Sequence, residues 1–192
     1  MLNHEFQERL YPVRYGNANC MMFVDGENLA IRFQEMVKKA RPPGSSYVGI
    51  WQIPDVAAWS QELDPGPSSV NFASFIRRHY YTSVIGDDDK ITETIDWIKD
   101  RKFEAARVFK KIKNRGSKQV DISLATDMLL HACHGHYDIA VLVAGDGDYV
   151  PLVRAVKGEG KRVHVWFLSE GISPKLKQEA DYFVTIDAAF ML

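Results

Sequence analysis

Short apolar runs alternate with longer stretches in which apolar residues recur every three or four positions, almost to the end of the chain. NCMMFV, closing at Val24, has strand length and is stopped by Asp25 and Gly26. LAIRFQEMVKKA has helical spacing, with Asn28 as its expected cap and Pro42-Pro43-Gly44 as its stop. YVGIWQI (Tyr47 to Ile53) and RRHYYTSVIG, ending near Gly86, read as strands, whereas PDVAAWSQELDPGPSS between them reads as a surface loop. DDDKITETIDWIKDRKF opens acidic, as a helix N-terminus prefers, and spaces Ile91, Ile95 and Ile98 helically. EAARVFKKIK is a further strand. VDISLATDMLLHACH is a helix whose apolar face is expected to hold Ile122, Ala125, Met128 and Leu129. YDIAVLVAG, YVPLVRAVKGEG, KRVHVWFL, SPKLKQEA and YFVTI then follow as strand, helix, strand, helix, strand.

Runs as continuously apolar as AVLVA and VHVWFL belong to strands covered on both faces. The pattern predicts a three-layer α/β/α sandwich with a mainly parallel sheet and right-handed crossovers. One domain is expected over residues 1–192, with 1–18 as an N-terminal extension.

Composition changes this picture little. The 192 residues are 46% hydrophobic and 26% charged, and 24 Lys plus Arg against 25 Asp plus Glu leave a formal charge of −1. That balance argues against a strongly basic nucleic-acid wrapper but allows a local basic patch. No apolar stretch reaches membrane-spanning length, and the first twenty residues lack the apolar segment of a secretory signal. Cys20 and Cys133 fall in a strand and a helix, so free thiols and a cytoplasmic location are expected.

Candidate chemistry lies at strand ends. VLVAGDGDYVPLV passes abruptly from an apolar run to Asp146 and Asp148, with Gly145 and Gly147 expected to allow a tight turn. Asp25 ends the first strand, and Asp121 opens a helix after KNRGSKQV. Parallel α/β sheets bind ligands beyond the carboxyl ends of their strands, so three separate segments bring acids to one rim. Converging carboxylates call for a hard cation, Mg2+ or Mn2+, and such ions suit phosphodiester hydrolysis. Asn28 fits either a helix cap or a support for Asp25, and Glu27 reads as a helix-start charge. Asp127, six residues past Asp121, lies on another helix face. Asp87 follows a strand but reads mainly as a helix-dipole charge.

The basic run KKIKNRGSKQ leads straight to Asp121, which makes Lys111, Arg115 and Lys118 candidate phosphate contacts. Arg77, Arg78, Tyr80 and Tyr81 alternate along a strand, so base stacking is open to them, and Trp59 is a better candidate for exposure than Trp51. His131, Cys133, His134 and His136 are poorly spaced for zinc. A G-x-G-x-x-G turn, a P-loop and an EF-hand loop are all missing from the sequence.

Taken together, FVDGEN, KQVDISLATDML and VLVAGDGDYVPLVRAVKGEGKRVHVW resemble the NYN domain family, PIN-like metal-dependent ribonucleases, from about Asn19 through Asp187. The resemblance implies a PIN-like, Rossmann-like topology and a site made of Asp25, Asp121, Asp146 and Asp148. It also matches Asn28 and Asp127 to further polar positions of the family. AGDGDY stands here for the family's usual SGDSDF, with Gly147 lacking a serine hydroxyl and Tyr149 in place of Phe. The implied activity is Mg2+- or Mn2+-dependent cleavage of RNA, with single-stranded RNA favoured. A non-catalytic RNA- or protein-binding module and a nucleotide phosphatase on the same scaffold remain alternatives. Oligomeric state and protein partners leave no mark in the pattern.

Overall fold

The structure is a computed structural model that describes residues 18–40, 49–64, 74–111 and 118–190. Its centre is a six-stranded sheet in which every neighbouring pair is parallel. Strand β1 (Asn19–Asp25) lies inside it, flanked by β4 (Ser74–Val84) and β6 (Ile139–Val143). Beyond β4 lies β5 (Ala105–Lys110), and beyond β6 lie β7 (Arg162–Phe167) and β8 (Tyr182–Thr185). After β1 the chain builds one half of the sheet and then returns to build the other. The strand order therefore reverses between β1 and β6, the usual position of a ligand crevice in such sheets.

Helices α1 (Gly26–Ala40), α2 (Asp88–Lys99), α3 (Lys118–Cys133), α4 (Val150–Gly158), α5 (Pro174–Glu179) and α6 (Asp187–Phe190) surround the sheet. Side chains of β1 alternate between two cores. Met22 and Val24 pack with Leu29 and Phe33 of α1, while Met21 and Phe23 pack with Leu124 and Met128 of α3 and Val153 of α4. A strand buried on both faces has no polar period, which is why NCMMFV reads as one unbroken run.

Two expectations are overturned. The segment after Pro54 is not a surface loop at its start. Strand β2 (Ile50–Ile53) turns through Asp55, at φ +58, and pairs antiparallel with β3 (Ala57–Ser60) in a separate hairpin. All of β3 is buried, and Trp59 is fully enclosed with its ring edge-on to Phe103 at 4.9 Å. The Tyr80 hydroxyl donates to Ala58 O and accepts from Ala58 N, both at 3.0 Å, and so holds the hairpin against the sheet. Small alanines in a wholly buried strand give no alternation to read. The second correction concerns one residue of α3: Met128 is buried with Val120, Leu124 and Ala132, and Ala125 and Leu129 pack partly buried against them, but Ile122 falls outside this face. Ile122 is 63% exposed.

Candidate active site at the sheet switch point

Val24 is level with Val143, so Asp25 and the Ala144–Asp146 segment leave the sheet side by side. Helix α1 starts directly after Asp25, without a loop. Gly26 makes this possible, because a Cβ there would stand 2.0 Å from the Tyr80 ring. The Asp25 carboxylate accepts from Asn28 N at 3.0 Å, the bond of a helix cap. Asp25 is thus the cap expected of Asn28. The Asn28 side chain instead reaches the neighbouring strand end, where its Oδ1 accepts from Gly145 N at 2.9 Å.

Gly145 serves close packing rather than turn freedom. It and Gly147 are absent from the positive-φ glycines, but a Cβ on Gly145 would come within 2.2 Å of the Phe167 ring and 2.7 Å of Gly171 O. Asp146 then caps the short 3-10 turn Gly147–Tyr149, accepting from Asp148 N at 3.0 Å. That turn directs Tyr149 inward. Its hydroxyl lies 2.9 Å from Asp25 Oδ2 and 3.2 Å from Asp121 Oδ1. Asp121 is in the first turn of α3, at the same rim.

Asp25, Asp121 and Asp146 line one cavity of about 160 Å³, together with Glu27, Asn28 and Val120. Asp148 faces a neighbouring groove of about 440 Å³ between α3 and α4, which Asp121 and Asp146 also border and which Ile122 and Leu129 help to form. The four sequence-predicted acids therefore lie in two adjoining depressions. Glu27, read from sequence as a helix-start charge, is the acid that reading missed. It lines the small cavity, accepts from Ser83 Oγ at 2.6 Å, and is ion-paired with Lys111. Its position beside Asp25 in DGEN was visible, but its direction depends on β4 and β5.

Burial pushes the Asp25 carboxyl up to about 7, against the opposing pull of Asn28 N–H and the Tyr149 hydroxyl. Asp121 is also raised, first by burial, with Asp146, Glu27 and Asp148 adding repulsion and Tyr149 opposing. Burial and the two carboxylates hold Tyr149 firmly protonated. Burial first, and mutual repulsion second, thus disfavour the charged forms of both acids.

The donors are all oxygen, the chemistry preferred by Mg2+ and Mn2+. Mg2+ keeps several waters and needs only one or two carboxylates, so this donor set fits it. Among the described residues, however, no group of three or more His, Cys, Asp or Glu is placed to hold an ion together. The acids adjoin without forming a closed cage.

Other sequence candidates lie elsewhere. Asp127 is not brought to the acids; it accepts from the Tyr81 hydroxyl at 2.9 Å and pairs with Arg107 at 3.5 Å. Arg115 and the side chain of Lys118 lie outside the described residues. Asp87 caps α2 by accepting from Lys90 N at 3.0 Å. Tyr80 and Tyr81 are buried and offer no face to a base, and Arg78 is buried against Asp64. His131 and His136 meet through their Nδ1 atoms at 2.8 Å. Cys20 and Cys133 are free thiols. Among the described residues no helix is long and apolar enough to cross a membrane.

The family model of the NYN domain matches residues 19–187. An uncharacterised protein of Methanocaldococcus jannaschii is 27% identical over 120 residues, 55% of this chain and 50% of that protein. The match thus spans about half the length of this curated relative. The crystal structure of a protein of unknown function from Vibrio parahaemolyticus has the same fold, with a TM-score of 0.64 at 21% identity over 94% of this chain and 99% of that one. The ordered acids, the switch-point geometry and a match over nearly the whole length lead to one assignment: the chain belongs to the NYN domain family, within the PIN-like ribonuclease superfamily.

Proposed function

We propose that this protein is a Mg2+- or Mn2+-dependent phosphodiesterase that hydrolyses single-stranded RNA. The observation that carries the reading is the convergence of Asp25, Asp121 and Asp146, from β1, α3 and the end of β6, on one cavity at the switch point. One or two of these carboxylates, completed by water, would hold the cation, with Asp148 at the mouth of the adjoining groove. When bound there, a divalent ion supplies positive charge to the phosphate and acidifies an attacking water.

The chain's own residues do the remainder. Asn28 ties the ends of β1 and β6 together through Gly145 N, which fixes the spacing of Asp25 and Asp146. Lys111 neutralises Glu27 beside the cavity. In this reading the basic run in the sequence before Asp121, with Lys111, Arg115 and Lys118, supplies phosphate contacts that would give position rather than sequence choice.

A second reading is a non-catalytic RNA-binding module. It is favoured by the lack, among the described residues, of three acids placed to share an ion. One experiment separates the readings. Labelled single-stranded RNA, duplex RNA, DNA and a mononucleotide are incubated with the purified chain in Mn2+, Mg2+ or EDTA. Cleavage of single-stranded RNA that requires a metal supports the proposal, whereas binding without turnover supports the module and release of phosphate from the mononucleotide supports a phosphatase. Asp146→Asn is expected to lower cleavage by about 100-fold or more, since even the outer partners of metal ligands cost about 10–100-fold. Unchanged cleavage by a folded Asp146→Asn protein would falsify the assignment.

A further inference from the structure

The Tyr149 hydroxyl stands between carboxylates of two separate elements, 2.9 Å from Asp25 Oδ2 and 3.2 Å from Asp121 Oδ1, on a side chain that is 4% exposed. Two carboxylates this close to one atom repel unless a proton or a cation lies between them. Phenylalanine in the same place would fill the same space and supply neither. The turn that delivers the hydroxyl is itself secured, by the Asp146 cap and by Tyr149 N donating to Asp146 O at 3.3 Å.

The geometry points to Tyr149 as a positioning residue whose hydroxyl stands in for the cation, holding Asp25 and Asp121 together when no ion is bound. This inference rests on the metal-dependent reading above. Asp121 and Asp146 border both depressions, whereas Tyr149 lines only the larger groove and Asp25 only the small cavity. A cation entering that cavity therefore meets the same carboxylates from another side. Hydroxyl and cation stabilise one pool of negative charge, so removing the first increases the demand for the second. The acids stay gathered between ions because the one phenolic proton, nearer Asp25 at 2.9 Å and shared with Asp121 at 3.2 Å, offsets part of their repulsion.

The test compares the whole chain with Tyr149→Phe by thermal denaturation in EDTA and in saturating Mn2+, and by direct Mn2+ titration. In EDTA the variant is expected to melt about 5 °C lower, the scale of one lost charge-assisted hydrogen bond in a chain this long. Mn2+ is expected to restore most of that loss and to bind the variant about tenfold more tightly. A packing role alone would lower both melting temperatures equally and leave Mn2+ affinity unchanged, and that result, or weaker binding, overturns the inference. If Mn2+ stabilises both proteins alike, only this inference falls; if it binds neither, the metal-dependent reading falls with it. Should Tyr149→Phe fail to fold in EDTA, the double variant Tyr149→Phe/Asp121→Asn, which lacks the repulsion, is expected to fold there. Failure of the double variant to fold would also overturn the inference.

Discussion

Asp25 is where backbone, burial and charge meet in one side chain. It ends β1, caps α1, receives the Tyr149 hydroxyl and is 4% exposed. Its folded pKa, about 7, lies above the ordinary 3.8 because burial penalises the charged form. A group raised in this way adds stability at low pH and loses it as pH climbs through 7. In EDTA, Asp25→Asn is therefore expected to gain stability relative to wild type between pH 5 and pH 8, read from urea midpoints across that range. Asn28 acts at the same scale through one acceptor on Gly145 N. Asn28→Ala leaves that buried donor unmet and is expected to cost about 1–3 kcal/mol in denaturant unfolding. Gly145→Ala drives a methyl into Phe167 and Gly171 O, for a comparable loss of about 1–3 kcal/mol.

Helix α3 shows what an element adds. It is apolar on several faces, so its periodicity alone supports more than one orientation. The sheet buries Val120, Leu124 and Met128, and leaves Ile122 and Leu130 at 63% and 50% exposure. Leu124→Ala is expected to cost about 2–5 kcal/mol, whereas Ile122→Lys stays within about 0.5 kcal/mol, both read from denaturant midpoints. The helix was legible from VDISLATDMLLHACH, and so were Met128, Ala125 and Leu129 on its inner side; Ile122 was misplaced because it borders the groove left open between α3 and α4. In the hairpin β2–β3 the first strand was read from YVGIWQI, but the second was missed for a different reason. Its second strand is short, wholly buried and partly alanine, so it lacks both alternation and length, and the Pro54-Asp55 turn imitates a loop.

Across the whole molecule, imidazoles set a second pH response of opposite sign. Burial lowers His79 and His164 to about 4, with His131 adding to the effect on His79. A histidine kept neutral in the fold contributes fully above its unfolded value, near 6.5, and that contribution is lost as pH falls toward 4. Between pH 7 and pH 5 the loss of stability is expected to be smaller in a His79→Gln/His164→Gln protein than in wild type. Circular dichroism in urea at the two pH values measures the difference. The strand order acts at this same scale. Only with β1 and β6 adjacent do Asp25 and Asp146, 121 residues apart in the chain, border one cavity.

The sequence by itself determined the succession of strands and helices, the parallel sheet and the presence of acids at strand ends, because periodicity and carboxylate chemistry are local properties. It could not determine which way those acids face. The turn of Tyr149 into the carboxylate pair, the recruitment of Glu27 through Ser83 and Lys111, and the diversion of Asp127 to Tyr81 and Arg107 were settled by neighbours distant in the chain. Side-chain direction at a rim follows from which elements pack beside it, and only the folded sheet brings those elements together.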